Sequence, residues 1–443
     1  MAIFGIDLGT TNSLIGLEST GYLSALTPSC VNITTGEAGT SMYEDMTAVR
    51  SFKIDMSMGV EGLTPRMASN YVLKALAEQA QRDTGLSVKD VVISVPAYFS
   101  DSQRTATIAA AEMAGLNVKS LVNEPTAAAM YIAKNKKGLF VVYDLGGGTF
   151  DCSIIDSRFG MYDVQATTGR CEGGDNFDKA IMQHFIKEAE IPFSGIKDKV
   201  SRSSLQHYAS KMKIKMQKTR EAFDVDLSQW NGGICHFTPE NYKALMKMTF
   251  GKTIECMQKL IKQWIPDNEI VEILLVGGST HCPYLREWIE ESTGRSTAPL
   301  TYDPDRVVAQ GAALYASIVE NGEIGTAVSD VTKELSIGLY DGTVDVIVPA
   351  NSKIPLCMEK VFANPVAAKA LILDLYQGES RFVKNNECIG KLIWEYDAPV
   401  EANMGQVIVK ISIDSSGVIT FSANELLKPP KIVVLSRNSK EKC

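Results

Sequence analysis

The sequence contains two similar glycine turns, each opened by an aspartate and each set between two short apolar runs. The first turn, Leu8-Gly9-Thr10-Thr11, follows Asp7. The second, Leu145-Gly146-Gly147-Gly148-Thr149, follows Asp144, which lies 137 residues further along the chain. Two apolar runs separated by a glycine turn predict a β-hairpin. Two such hairpins at this separation therefore predict a duplicated domain made of two similar lobes.

The segments around these hairpins alternate between helical and strand patterns. Residues 67–83 and 101–114 are rich in alanine at helical spacing, whereas 91–95 and 273–276 are compact apolar runs typical of buried strands. This alternation predicts an α/β fold. From about residue 334 the pattern changes to short strands separated by turn residues, which predicts a C-terminal β-domain.

The glycine turns also carry a chemical prediction. Backbone N–H groups exposed in such a turn cradle phosphate oxygens, and threonine hydroxyls add further donors. The aspartate before each turn places a carboxylate where hydrated Mg²⁺ is held beside phosphates. A third element at 277–280 lies between a strand and a helix, a position that favours a bound anion. One turn alone is more often a plain hairpin, but the pair predicts a site that grips one triphosphate from both sides.

Composition narrows the range of partners and compartments. The formal net charge is −8, with 44 Lys+Arg against 52 Asp+Glu, and no long basic run is present, which argues against nucleic acid as a partner. No apolar run in the sequence reaches membrane-spanning length, which argues against a membrane protein. The nine cysteines include no C-x-x-C pair, a pattern that fits a reducing compartment. We therefore expect a cytoplasmic protein.

Several longer runs resemble the signatures of the seventy-kilodalton heat-shock chaperones of the DnaK type. The resemblance covers nearly the whole chain, and its runs are too long for coincidence. It implies an actin-like ATPase, built from duplicated ribonuclease H-like lobes, followed by a β-sandwich. The matching runs are 5–13, 95–99, 123–129, 144–151, 173–178 and 276–280.

The resemblance also implies a division of the chain into domains. It places the nucleotide-binding ATPase domain at 1–322, with lobe I at about 1–138 and lobe II at about 139–322. It further implies a linker at 323–333 and a substrate-binding β-sandwich at 334–443, without the helical lid found in the family.

Roles for matched residues follow from the same resemblance. The expected ligands are ATP or ADP with Mg²⁺, and Asp151 would also suit a monovalent cation such as K⁺. Residues implied in catalysis are Lys53, Glu124, Asp144 and Thr149. Metal-binding positions are Asp7, Asp144, Glu124 and Asp151. The implied nucleotide-binding residues are Gly9, Thr10, Thr11, Asn12, Gly146, Gly147, Gly148, Thr149, Gly173, Gly174, Gly277, Gly278, Ser279, His281 and Asp305.

In the β-domain, the resemblance implies a cleft for unfolded or extended apolar peptides. Its residues would be Leu339, Phe362, Leu371 and Leu373, and the alternative is that they form the core of the domain. The sequence pattern places Leu371 and Leu373 on one face of a strand and Ile372 on the other. A J-domain co-chaperone and a nucleotide exchange factor are further partners that the resemblance implies.

Two departures from the family pattern bear on function. His281 occupies the place of an arginine that stacks on adenine, and the linker lacks the leucine run usual in the family. We therefore expect weaker adenine discrimination and modest coupling between nucleotide and peptide. The leading hypothesis is a chaperone that hydrolyses ATP slowly. The alternatives are a nucleotide-gated peptide-binding module with little hydrolysis and a small-molecule kinase of the actin-like superfamily.

Overall fold

The computed structural model describes residues 2–56, 64–134, 136–322 and 328–425 of the 443-residue chain. These residues form two α/β lobes and a β-sandwich. Among the helices of these ranges, none combines the length and the apolar character that crossing a bilayer requires.

Lobe I is built on a mixed sheet that contains the first glycine turn. Strand β1 (Ile3–Leu8) pairs antiparallel with β2 (Asn12–Leu17) across that turn and parallel with β7 (Asp90–Val95). Helix α1 (Pro65–Thr84) buries its apolar stripe on this sheet and stops at Gly85, which adopts φ 72° as the C-cap. The other elements are β3 (Tyr22–Leu23), β4 (Thr27–Pro28), β5 (Cys30–Val31), β6 (Val49–Arg50), α2 (Asp101–Met113), β8 (Asn117–Asn123) and α3 (Glu124–Ile132).

Lobe II repeats this arrangement around the second turn. Strand β9 (Leu139–Leu145) pairs antiparallel with β10 (Phe150–Asp156) and parallel with β14 (Val271–Val276). The predicted duplication is therefore present in the structure. The other elements are β11 (Tyr162–Arg170), α4 (Gly174–Glu188), α5 (Lys199–Thr219), β12 (Phe223–Asp226), β13 (Ile234–Phe237), α6 (Pro239–Trp264), α7 (Pro283–Thr293) and α8 (Val307–Glu320).

Helices α3 and α8 pack against each other in a buried cluster that draws on both lobes. A β-carbon added at Gly311 of α8 would lie 1.8 Å from the backbone oxygen of Ala127 in α3. One added at Gly5 of β1 would lie 2.1 Å from the backbone nitrogen of Ala313. These positions require glycine because backbone approaches backbone directly.

The β-domain consists of two packed sheets whose strands alternate buried and exposed residues. The strands are β16 (Leu335–Gly338), β17 (Val344–Val348), β18 (Ser352–Ile354), β19 (Leu356–Ala363), β20 (Ala368–Gln377), β21 (Glu387–Val400), β22 (Gln406–Ile413) and β23 (Ile419–Glu425). One sheet has the order β17-β16-β20-β21 and the other the order β19-β22-β23. The short strands predicted from about residue 334 are therefore present.

A short strand joins lobe II to the β-domain. Strand β15 (Val328–Thr332) pairs parallel with β11 and antiparallel with β18, so the sheet of lobe II continues into the β-domain. This strand falls within the linker predicted at 323–333, whose residues 323–327 lie outside the described ranges. Val331 is buried in the cluster between the lobes, although the segment lacks leucine. The domain boundaries themselves remain a prediction.

Lobe I also contacts the β-domain directly. The Ile419 backbone N–H donates to Asp101 Oδ1 at 2.8 Å. Arg104 donates to the Ser416 backbone oxygen at 3.2 Å and to Asn123 Oδ1 at 2.7 Å. The Asn123 side chain in turn donates to Asp330 Oδ2 at 2.7 Å. Both lobes of the α/β domain therefore hold the β-domain in place.

Replacing Gly311 by alanine should lower the free energy of unfolding by about 1–3 kcal/mol, because the added carbon must push α3 and α8 apart. Urea denaturation followed by circular dichroism measures this change. Gly251 of α6 is a matched control, since nothing lies within 4 Å of its added β-carbon. Gly251→Ala should stabilise the protein by about 0.5–1 kcal/mol. A Gly311→Ala protein as stable as the parent would show that the helices tolerate a wider spacing.

Candidate functional site

A cleft of about 1040 Å³ lies between the two lobes and is lined by both glycine turns. The turns face each other closely, because a β-carbon at Gly147 would lie 1.9 Å from Thr11 Oγ1. Predicted site residues that line this one cleft are Asp7, Gly9, Thr10, Thr11, Asn12, Lys53, Glu124, Asp144, Gly146, Gly147, Thr149, Gly174, Gly277, Gly278, Ser279, His281 and Asp305.

Gly148 and Gly173 do not line the cleft but support the turns that do. A β-carbon at Gly148 would lie 2.8 Å from Thr10 Cγ2 of the opposite turn. A β-carbon at Gly173 would lie 2.6 Å from the backbone of Gly147. Both positions therefore need glycine for close packing around the second turn.

The second glycine turn is braced by the two other glycine elements. At the start of α4, the Gly174 N–H donates to the Gly146 oxygen at 3.0 Å. Ser279 Oγ donates to the same oxygen at 2.9 Å, from the short helical turn that precedes α7. Gly277 of that turn adopts φ 82°, a left-handed conformation that glycine permits without strain. Three separate segments of the chain thus hold one end of the cleft in a fixed shape.

Three carboxylates and one lysine meet at the centre of the cleft. Lys53 is 3% exposed, and its ammonium forms an ion pair with Glu124 Oε1 at 2.5 Å. Asp7 accepts a hydrogen bond from Ser94 Oγ at 2.7 Å. Asp144 Oδ2 is buried without a hydrogen-bond partner among the described residues. The group therefore holds more negative charge than the single lysine compensates.

The electrostatics of these carboxylates follow from burial and mutual repulsion. Burial and the Glu124 carboxylate raise the pKa of Asp7 to about 7. Burial, followed by Glu124, raises the pKa of Asp144 well above its ordinary value. Oxygen ligands are what a hard cation such as Mg²⁺ prefers, and a bound cation would supply the missing positive charge. The donor set and the unpartnered oxygen of Asp144 therefore fit a divalent cation.

Asp151 occupies a different environment from the other predicted metal ligands. It is not part of the cleft lining, and its Oδ1 accepts a hydrogen bond from the Tyr98 N–H at 2.8 Å. Burial and the Glu124 carboxylate raise the pKa of Asp151 to about 7. The structure thus gathers Asp7, Glu124 and Asp144 in the cleft but leaves Asp151 outside it.

His281 lines the same cleft beside two aspartates. Its Nε2 is 2.8 Å from Asp305 Oδ2 and 3.8 Å from Asp303 Oδ1. The hydrogen bond to Asp305 raises the pKa of His281, so its imidazole gains positive character. Asp305 also packs closely on Gly278, where an added β-carbon would lie 2.5 Å from Asp305 Oδ1.

The site residues expected from the sequence leave out others that line the cleft from α5 and from the loop at 40–44. Lys213 of α5 lines the cleft and forms an ion pair with Asp178 at 2.7 Å. Tyr43 and Glu44 line it from lobe I. The alternating lysines of α5 are the one sequence signal that singles out this helix. Nothing local marks Tyr43 or Glu44, because the fold alone brings them to α5.

The four residues predicted for a peptide cleft do not share one environment. Leu339 is 43% exposed, whereas Leu371 and Leu373 are each 5% exposed and belong to the core of the β-domain. Phe362 packs against that core and is partly buried. Ile372, on the other face of β20 as predicted, is exposed.

Comparisons with known proteins agree with this architecture. Residues 43–441 match the family model described as "Hsp70 protein". The chain is 32% identical to a "Chaperone protein HscA homolog" from Tolumonas auensis over 475 aligned positions, which cover 95% of this chain and 75% of that protein. The chain therefore belongs to the Hsp70 family, whose members are ATP-dependent chaperones with ATPase activity.

Proposed function

We propose that this protein binds ATP with Mg²⁺ in the cleft, hydrolyses it slowly, and thereby regulates how its β-domain holds extended apolar peptides. The observation that carries the proposal is the meeting of two aspartate-led glycine turns across the cleft, with the Lys53–Glu124 pair between them. Two such turns on facing walls of the cleft can contact one triphosphate from both sides.

In this proposal the backbone amides and threonine hydroxyls of the two turns bind phosphate oxygens. Asp7, Glu124 and Asp144 hold Mg²⁺, which neutralises phosphate charge when bound. Lys53 places its ammonium near the terminal phosphate and orients the attacking water. Because phosphoryl transfer requires positioning and charge stabilisation more than a strong base, these residues suffice without a catalytic histidine.

The contacts between domains supply a route for regulation. β15 is hydrogen-bonded into the sheet that carries the second glycine turn, and Arg104 and Asn123 connect lobe I with residues of the β-domain and β15. A nucleotide that changes the angle between the lobes changes both sets of contacts. We propose that this movement alters the affinity of the β-domain for peptide.

Peptide binding is proposed at the end of the β-domain that carries Leu339. β16 pairs with β20 over residues 375–377, and Leu339 and Tyr340 lie exposed beyond that pairing. Leu339 lies at the turn between β16 and β17, and an extended apolar peptide would place its side chains against it. A J-domain co-chaperone and a nucleotide exchange factor are proposed as further partners.

Lys53→Ala should bind ATP but hydrolyse it about 10²-fold or more slowly, because a group that orients water and stabilises transition-state charge is lost. Single-turnover hydrolysis measures the rate, and calorimetry with ATP and Mg²⁺ measures binding. Lys74→Ala, on the exposed side of α1, is the control and should hydrolyse at the parent rate. Equal rates for Lys53→Ala and the parent would refute the role proposed for Lys53.

His281→Arg should tighten ATP binding by about 1 kcal/mol, because a guanidinium plane stacks on adenine better than the smaller imidazole. Competition calorimetry should also show that GTP competes appreciably with ATP for the parent protein and less for the variant. His236→Arg is the control, since His236 is an exposed residue of β13. An unchanged ATP affinity in His281→Arg would mean that other residues hold the base.

Leu339→Ser should weaken the binding of a labelled extended apolar peptide without lowering thermal stability, because Leu339 is exposed. Leu371→Ala should instead lower the free energy of unfolding by about 2–5 kcal/mol, the usual effect of emptying a buried site. Fluorescence anisotropy and thermal denaturation measure the two effects. Loss of peptide binding in Leu371→Ala at unchanged stability would instead show that Leu371 contacts the peptide.

A further inference from the structure

One segment of lobe I reaches lobe II across the mouth of the cleft. The Glu44 carboxylate lies 3.6 Å from Lys211 Nζ and 3.7 Å from His207 Nε2, both on α5. The Tyr43 ring meets the His207 ring edge-on, with centroids 5.3 Å apart. These four residues are called the latch below. Ser51 Oγ adds a hydrogen bond to Asp175 in the first turn of α4.

The lobe I side of the latch is held in place by Arg50. Arg50 donates hydrogen bonds to the backbone oxygens of Met42 at 3.2 Å and Asp45 at 3.1 Å, and also to that of Tyr43. Its guanidinium lies 5.7 Å from the centre of the Tyr43 ring. Arg50 itself is fixed in β6, paired with Cys30 of β5. The segment therefore presents Tyr43 and Glu44 to α5 in a defined geometry.

His207 is the titratable group at the centre of the latch. Its side chain is 17% exposed, and its Nε2 is buried without a hydrogen-bond partner among the described residues. The charged groups that face it are Lys211, Arg50, Glu44 and Asp178. Burial, followed by the Lys211 ammonium, lowers the pKa of His207. The closed latch therefore favours the neutral imidazole over the protonated form.

We propose that acidification opens the latch, so that pH controls how fast nucleotide leaves the cleft. The inference rests on the proposed nucleotide site, because Tyr43 and Glu44 line the same cleft as the two glycine turns. Nucleotide that is enclosed by both lobes leaves only after the contacts across the mouth have separated.

The direction of the effect follows from linkage. When the latch is open, the imidazole is solvated and has its ordinary pKa of about 6.5. When the latch is closed, the pKa lies below that value, so the open form takes up a proton first. The closed form is fully favoured above the ordinary pKa and loses that preference as the pH falls through the lowered pKa. Glu44 opposes this trend only weakly, because it is exposed and shared with Lys211.

The first test is the release of the fluorescent nucleotide methylanthraniloyl-ADP, chased with excess ATP in a stopped-flow instrument between pH 5.5 and 7.5. The parent should release it severalfold faster at the acidic end, with a limit of about tenfold for each unit by which the latch lowers the histidine pKa. His207→Phe keeps a ring against Tyr43 but cannot take up a proton, so its release rate should depend less on pH than that of the parent, and the remaining dependence should come from the buried carboxyls of the cleft. His236→Phe is the matched control and should retain the pH dependence of the parent.

A charge exchange tests the contact itself. Glu44→Lys and Lys211→Glu should each speed nucleotide release at pH 7.5, because each places like charges together across the mouth. The double variant restores opposite charges and should return the release rate toward that of the parent. Additive acceleration in the double variant would contradict a direct contact between these side chains.

A second readout needs no nucleotide and separates this inference from the proposed function. Amide hydrogen exchange of residues 40–50 in the nucleotide-free protein, corrected for the intrinsic effect of pH, should increase at pH 5.8 in the parent but not in His207→Phe. If the nucleotide analogue does not bind, the proposed function fails, and this exchange result still decides about the latch. Equal pH responses in the parent and His207→Phe would overturn the inference.

Discussion

The close packing of α3 against α8 determines where two carboxylates of the cleft lie. Because Gly311 has no side chain, the backbone of α8 packs directly on Ala127 of α3, within the cluster between the two lobe sheets. Helix α3 begins with Glu124, and α8 begins two residues after Asp305. The same contact therefore positions two carboxylates of the cleft, Glu124 beside Lys53 and Asp305 beside His281.

The centre of the cleft concentrates negative charge that the protein alone does not balance. Asp7, Glu124 and Asp144 compete for one buried lysine, and burial makes each uncompensated carboxylate costly. Such a site is more stable when a cation is present, so the arrangement of these side chains favours cation binding. The glycine turns contribute no charge of their own and supply directional donors instead.

Local patterns were sufficient to predict the two glycine turns and the elements beside them. Both hairpins, the strand at 91–95 and the helix that follows 277–280 depend on residues close together in the sequence, and all are present. β15 was missed because its sequence is mostly polar and its partners, β11 and β18, lie elsewhere in the chain. The long strand β21 was missed as well, although Trp394 and Tyr396 alternate inward, because bulges shift its register with β20.

The candidate site likewise contains residues that local motifs predict and contacts that depend on distant segments. Motif residues on the two glycine turns could be assigned from sequence because a turn determines its own geometry. The pairing of His281 with Asp305, the separation of Asp151 from the cleft and the contact of Glu44 with α5 depend on the packing of distant segments. The sequence pattern predicted that Leu371 and Leu373 share one face of a strand. It did not predict which face of that strand was buried.

Among the described residues, the junction between β11 and β15 is short and pairs Tyr162 with Val328 and Asp163 with Ser329. Breaking such a seam exposes few backbone groups, and water satisfies them at once. Separation along this seam therefore costs few hydrogen bonds, whereas Val331, buried in the cluster between the lobes, anchors the other end of β15. A force that pulls the β-domain away from lobe II would therefore load these few backbone pairs before it loads the anchor at Val331.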